Sequence, residues 1–197
     1  MEKLNKQLDF IIELDKLKSI YRQALVKSDK NRFENSAEHS WHISLTAQIL
    51  HEYAVEKVNI SRVMSMLLIH DIVEIDAGDM FAFSDESSHV EQEEKEASAA
   101  SRIFGLLPEK QFLSFKELWF EFEKAETIDA RFAKAIDRIL PLLQNMRNEG
   151  GSWVRHNVKK SQVIKRNEYL DKLAPQLWLY VCEQIDHAVE QGWLSDS

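Results

Sequence analysis

The chain has 197 residues, long enough to bury a core without covalent staples, and its single cysteine excludes both a disulfide framework and a thiolate zinc knuckle. With 25 basic and 33 acidic side chains it carries a formal charge of −8, which argues against general binding to a nucleic acid polymer, where a basic face must release counterions. Only five glycines and three prolines occur, too few for the tight turns of a β-rich or doubly wound fold, so the expectation is an all-α architecture.

In chain order, Leu4, Leu8, Ile11 and Leu14 trace the first helical strip, widened by Ile12, Leu17, Ile20 and Tyr21. A second helix starts at Asn35 or Ser36, because Asn35 and Glu38 have capping-box spacing; its inward strip is His39, Ile43, Ala47 and Leu50. A third runs from about Ser61 to His70-Asp71. Residues 76–88 break the rhythm and read as a loop, a common carrier of function. Helices then follow from about Val90 to Phe104, stopping at Gly105, and from Pro108 through Phe112, Phe115, Trp119 and Phe122. Another spans about Thr127 to Asn148. A shorter break at Glu149-Gly150-Gly151 precedes a final helix using Leu177, Val181, Ile185 and Val189, with Gly192 as its stop. The acidic run Glu91 to Glu96 reads as a solvated face, and Cys182 as a small core residue. Repeats, low-complexity linkers and domain boundaries are absent, so one helical domain over 1–197 is expected. The short apolar runs and the charged start predict neither a membrane span nor a secretory leader, hence a cytoplasmic location.

Chemistry concentrates in Leu67 to Asp79, where an apolar helix end meets a histidine and four carboxylates. His70 and Glu74 share a helix face, whereas His70 and Asp71 point about 100° apart and reach one ion only off their shared edge. A polar helix end capped by acids is the plain alternative. Asp137 sits flush with an apolar strip, and a buried carboxylate persists when it is paired or metal-bound; a salt bridge to Arg131 or Arg138 would also satisfy it. Pro141 removes the amide that would bond the carbonyl of residue 137, which should kink or loosen the helix there. His39 lies on the buried edge of its helix. Two imidazoles and two carboxylates, if they meet, suit Mn²⁺, Fe²⁺, Co²⁺, Ni²⁺ or Zn²⁺, with Mg²⁺ a further candidate. His42, His51, His89, His156 and His187 read as structural or exposed.

Glu38-His39, His70-Asp71-Ile72-Val73-Glu74, Gly78-Asp79 and Ala135-Ile136-Asp137-Arg138 resemble the H…HD…D signature of HD-domain hydrolases. More narrowly they resemble the group that holds bacterial 5′-deoxynucleotidases and HD-domain-containing protein 2. The resemblance implies a helical HD bundle in which His39, His70, Asp71 and Asp137 hold one divalent metal. It implies that Glu74 positions or activates water, that Asp79 assists proton transfer, and that Arg22 lies on the phosphate side. In the deoxynucleotidases a tryptophan follows that arginine; here Gln23 follows and the spacing to His39 is slightly longer, which bears on deoxyribose selectivity. The implied substrate is a small nucleotide or phosphate ester that loses its 5′-phosphate. A nucleotide phosphodiesterase or triphosphohydrolase and a non-catalytic, metal-stabilised binding module are the alternatives. The aromatic surplus of Trp119, Phe120, Phe122 and Trp178 suggests an exposed patch, and with the resemblance it suggests a homodimer.

Overall fold

Local sequence signals set most element boundaries in the computed structural model, which describes residues 1–196. Helix α1 (Glu2–Glu13) tightens into a 3₁₀ turn over Leu14–Ser19. A β-hairpin follows, β1 (Tyr21–Val26) pairing antiparallel with β2 (Arg32–Asn35), with Leu25 opposite Phe33 and an irregularity between Tyr21 and Leu25. The helices are then α2 (Ser36–Leu50), α3 (Ile60–Ile69), α4 (Glu74–Ala77), α5 (Glu86–Phe104), α6 (Glu109–Lys124), α7 (Ile128–Arg147), α8 (Gly151–Arg155), α9 (Lys160–Asn167), α10 (Leu170–Leu173) and α11 (Pro175–Glu190).

The all-α class holds, with the hairpin as a small addition that glycine scarcity had argued against. Its turn uses Lys30 and Asn31 at φ 54° and 58° in place of glycine, and Arg32 reaches back to the Asp29 carboxylate. Helix α5 begins four residues earlier than the periodicity suggested, because the Asp85 side chain accepts from the Ser88 amide and caps it. Helix α7 runs unbroken through Pro141, so the expected kink does not interrupt it. Among the described residues no helix is long and apolar enough to cross a membrane.

Buried apolar side chains gather in two clusters. The larger joins α2, α3, α7 and α11 through Ile43, Leu67, Ile136 and Ile185; the smaller joins α1, α5 and α6 through Phe10, Phe104 and Trp119. Leu67 belongs to the first and Ile69 and Ile72 to the second. The chain therefore crosses between the clusters just before His70 and Asp71. Each large apolar side chain buried around the crossing stabilises it by roughly 1.5–3 kcal/mol, which makes it a rigid place to hold polar groups.

Four expectations are corrected here. Trp119 and Phe122 are 3% and 1% exposed, core residues and no part of a surface patch. Leu4, Leu8, Ile11 and Ile12 are exposed, because α1 seats Phe10 inward and turns that strip to solvent. The acidic run is not uniformly solvated: Gln92 is buried, its Nε2 donating to the Gly78 carbonyl at 2.8 Å and to Glu96 at 3.0 Å. Cys182 is only half-buried.

Candidate metal centre and active site

Each polar side chain at the crossing is placed by a local device. The capping box opens α2: Asn35 Oδ1 accepts from the Glu38 amide (2.9 Å) and Glu38 Oε2 from the Asn35 amide (3.3 Å), while Arg32 holds both Glu38 oxygens. That start turns His39 inward, fully buried. At the end of α3 the chain narrows into a 3₁₀ turn over His70–Val73, in which residues three apart share a face, as Asp71 and Glu74 do, and His70, Asp71 and Glu74 are all buried. His70 is held by its own Nδ1 against the Leu67 carbonyl (2.9 Å) and by the Phe122 ring edge, with centroids 4.9 Å apart. The Trp119 indole donates to the His70 carbonyl at 3.1 Å.

Asp137 projects from α7 into the same space. Its Oδ1 lies 2.9 Å from His39 Nε2 and 3.6 Å from His70 Nε2. One donor atom from each of His39, His70 and Asp137 lies within 4.8 Å of the others. Asp71 stands just outside that trio, Oδ1 2.8 Å from His70 Nε2 and Oδ2 accepting from Arg22 Nη1 at 2.7 Å. Arg22, on β1, also lies 3.6 Å from Asp79 and 3.7 Å from Glu74. Ser36 donates to Glu74 at 2.5 Å. The arginines that could have neutralised Asp137 are engaged elsewhere: Arg131 faces Glu56 at 3.9 Å, and Arg138 donates to the Arg166 carbonyl. His42 lies on the outer side of α2 against Trp41 and does not join His39.

The electrostatics divide four acids into two pairs. Burial raises Glu74 well above its ordinary value and the Asp71 charge adds to it, against Arg22. Burial likewise lifts Asp79 to about 6, with Arg22 opposing and Asp71 assisting. Burial works against ionised Asp71 and Asp137 too, yet His70 and Arg22 hold Asp71 at about 2, and the two imidazoles hold Asp137 well below the carboxylate range. His70 resists burial in the same way, carried to about 10 by Asp71 and Asp137. Two acids shifted upward beside two shifted downward is the separation that acid–base chemistry uses.

The donor set fits a divalent cation. His70 donates through Nδ1, so its neutral form presents a lone pair at Nε2, which is buried without a hydrogen-bond partner while facing two carboxylates. Lone pairs converge there only around a positive centre, a proton or a metal ion. The residues can hold a divalent metal.

Of three further side chains near this centre, Glu34 and Arg166 carried no signal in the sequence, and Arg138 figured only as an ion-pair partner for Asp137. Glu34 at the end of β2 is 3% exposed, with Oε2 3.4 Å from His39 Nδ1. Arg138 and Arg166 line the cavity that contains His70, Asp71 and Asp137. An isolated charge on a helix reads as a solvated one unless its burial is known, so only coordinates reveal these.

A family model described as HD domain matches residues 14–178. The chain belongs to the HD domain family. Its fold is close to that of a protein from Magnetospirillum magnetotacticum MS-1 described as a predicted metal-dependent phosphohydrolase, at a TM-score of 0.92 and 48% identity over 98% of this chain and 96% of that one. It is 28% identical over 137 residues to the human 5′-deoxynucleotidase HDDC2, a match covering 70% of this chain and 65% of the relative. The chain thus spans slightly under two thirds of that relative's length. A 5′-deoxynucleotidase from Schizosaccharomyces pombe, hdd1, is 24% identical over 190 residues, 95% of this chain and 86% of the relative. In this HD domain the His-Asp doublet immediately follows the crossing between the two cores.

Proposed function

We propose that this HD-domain chain, acting as one domain over 1–197, is a metal-dependent phosphomonoesterase that removes the 5′-phosphate from nucleoside monophosphates. The observation that carries the reading is the convergence of His39, His70 and Asp137 beside Asp71, with two further acids, Glu74 and Asp79, both close to Arg22. A merely structural metal site needs no such acids. His39, His70, Asp71 and Asp137 are the proposed ligands; Mn²⁺, Co²⁺, Fe²⁺, Ni²⁺, Zn²⁺ or Mg²⁺ bound there would supply Lewis-acid charge and acidify water.

The chain's own groups do the rest. Glu74, held by Ser36 and raised above the ordinary carboxylate range, takes the proton of the attacking water once ionised. Asp79, at about 6, carries a proton for the 5′-oxygen as the phosphorus–oxygen bond breaks. Arg22 keeps the acids from repelling one another and lies on the phosphate side. The similarity to 5′-deoxynucleotidases supports the nucleotide substrate. A nucleotide substrate also favours a cytoplasmic location. Exposed Trp41, Leu45 and Ile49, spaced four apart on α2, support a homodimer in place of the aromatic residues that the core absorbs.

Phosphate release from each ribo- and deoxynucleoside 5′-monophosphate, measured with Mn²⁺, Co²⁺ and Mg²⁺, tests the reading. Metal-dependent release that vanishes after chelation is expected. Cleavage restricted to diesters or triphosphates would reject the monoesterase, and stoichiometric metal without hydrolysis of any ester would reject the enzyme.

A further inference from the structure

The cavity that holds Glu74 is also lined by two arginines that the scheme above leaves without a task. Arg138 follows Asp137 in α7, and Arg166 lies in α9. Both line the cavity holding His70, Asp71 and Asp137, and both also line the adjoining cleft that contains Phe81, Phe83 and Trp153. They stand where the two spaces meet.

Neither forms an ion pair among the described residues. Arg138 Nη1 donates to the Arg166 carbonyl at 2.8 Å, its guanidinium sits 5.0 Å from the centre of the Tyr169 ring, and its Nε is buried with no acceptor. The Arg166 guanidinium lies 6.0 Å from the Phe83 ring centre and makes no hydrogen bond among the described residues. Burial, and then the Arg138 charge, press its pKa downward.

A guanidinium cannot escape this situation by losing its proton. Burying one without a carboxylate is costly, and placing a second beside it adds repulsion. Arg22 shows the contrast within the same cavity, because Asp71, Glu74 and Asp79 all lie within 3.7 Å of its Nη1. A cavity lined both by buried acids and by arginines without ion pairs is arranged for a bound cation and a bound anion side by side.

We infer that Arg166 and Arg138 form the phosphate grip of the site, holding the non-bridging oxygens of a phosphomonoester, while Arg22, with Nη1 committed to Asp71, contributes less. The inference rests on the phosphomonoesterase reading and assigns its anion-binding residues. A planar fork of donors suits the tetrahedral dianion, and both side chains keep unused donors turned to the cavity.

The test uses the metal-loaded full chain, with Arg166→Gln and Arg166→Lys compared with the wild type. Arg166→Gln should raise KM for the preferred mononucleotide, and the inhibition constant of inorganic phosphate, at least tenfold. Bound metal should not change, and kcat should change less than KM. Arg166→Lys, which keeps the charge but loses the fork, should fall between, and it serves alone if the glutamine variant does not fold. Unchanged KM and phosphate inhibition would overturn the grip. So would a rise seen only together with metal loss or a lowered melting temperature, which marks a structural residue. If the wild type cleaves no ester, calorimetric titration of the metal-loaded chain with inorganic phosphate still decides. Binding that weakens tenfold in Arg166→Gln supports the grip while the proposed reaction fails, and binding that is absent or indifferent to Arg166 overturns it.

Discussion

Replacing Glu34 by glutamine removes one charge beside His39 and leaves the side-chain volume unchanged. Glu34 Oε2 faces His39 Nδ1 at 3.4 Å, and Oε1 accepts from Gln144 Nε2 at 2.6 Å. Burial opposes the ionised carboxyl, but His39 and then Arg22 hold it below its ordinary value, so with a metal bound Glu34 would favour the proton on Nδ1 and leave the Nε2 lone pair for the ion. A carboxylate behind a ligating imidazole fixes its tautomer and raises its basicity, and losing one costs about 10–100-fold in metal affinity, or about 1.4–2.7 kcal/mol. The 3.4 Å separation is long for a hydrogen bond, which points to the lower end, about tenfold. Calorimetric titration of metal-free Glu34→Gln with Mn²⁺ and Zn²⁺ measures it, with circular dichroism as a check on folding. Equal affinity in variant and wild type would refute the positioning role.

Glu74→Gln should lower kcat by about 10²–10⁴-fold with bound metal unchanged, as expected for a lost general base; activity within a few-fold of wild type removes that role. Glu96, carried to about 7 by burial against its Gln92 hydrogen bond, is favoured in its protonated form by the folded state. Its contribution is therefore present below its ordinary value of 4.5 and is lost as pH rises through about 7, at most about 3 kcal/mol and nearer half of that after solvent screening. Glu96→Gln should accordingly gain on the wild type between pH 5 and pH 8 in urea denaturation, and a pH-independent difference would contradict this. Gly150→Ala should destabilise by about 1–3 kcal/mol. Gly150 has φ +88°, and an added Cβ would lie 2.5 Å from Val154 Cγ2 and 2.7 Å from Trp193 Cβ. An unchanged melting temperature would show that the turn relaxes freely.

The helices were legible because their signals are local: the Asn35–Glu38 box, the Thr127 cap and Pro108 mark starts in the sequence that the structure repeats. The β-hairpin was not, since Lys30 and Asn31 take the left-handed turn without glycine. Periodicity marked apolar strips but not which of them finds a partner. Thus Phe10 turns inward while Leu4 and Ile11 face solvent. At the site, the histidines and acids stood out through their clustering at one helix end and through the family resemblance. Glu34, Arg138 and Arg166 did not, because their meaning lies in burial and in missing partners, which arise only when β2, α7 and α9 meet.

Metal content by mass spectrometry, on the wild type and on Asp137→Ala after loading with Mn²⁺ or Zn²⁺, is the most direct measure of the four-ligand centre. One equivalent per chain in the wild type, and a loss of most of it in the variant with helical circular dichroism intact, is the predicted result. The same metal content in a folded Asp137→Ala chain would contradict the centre and the hydrolase built on it.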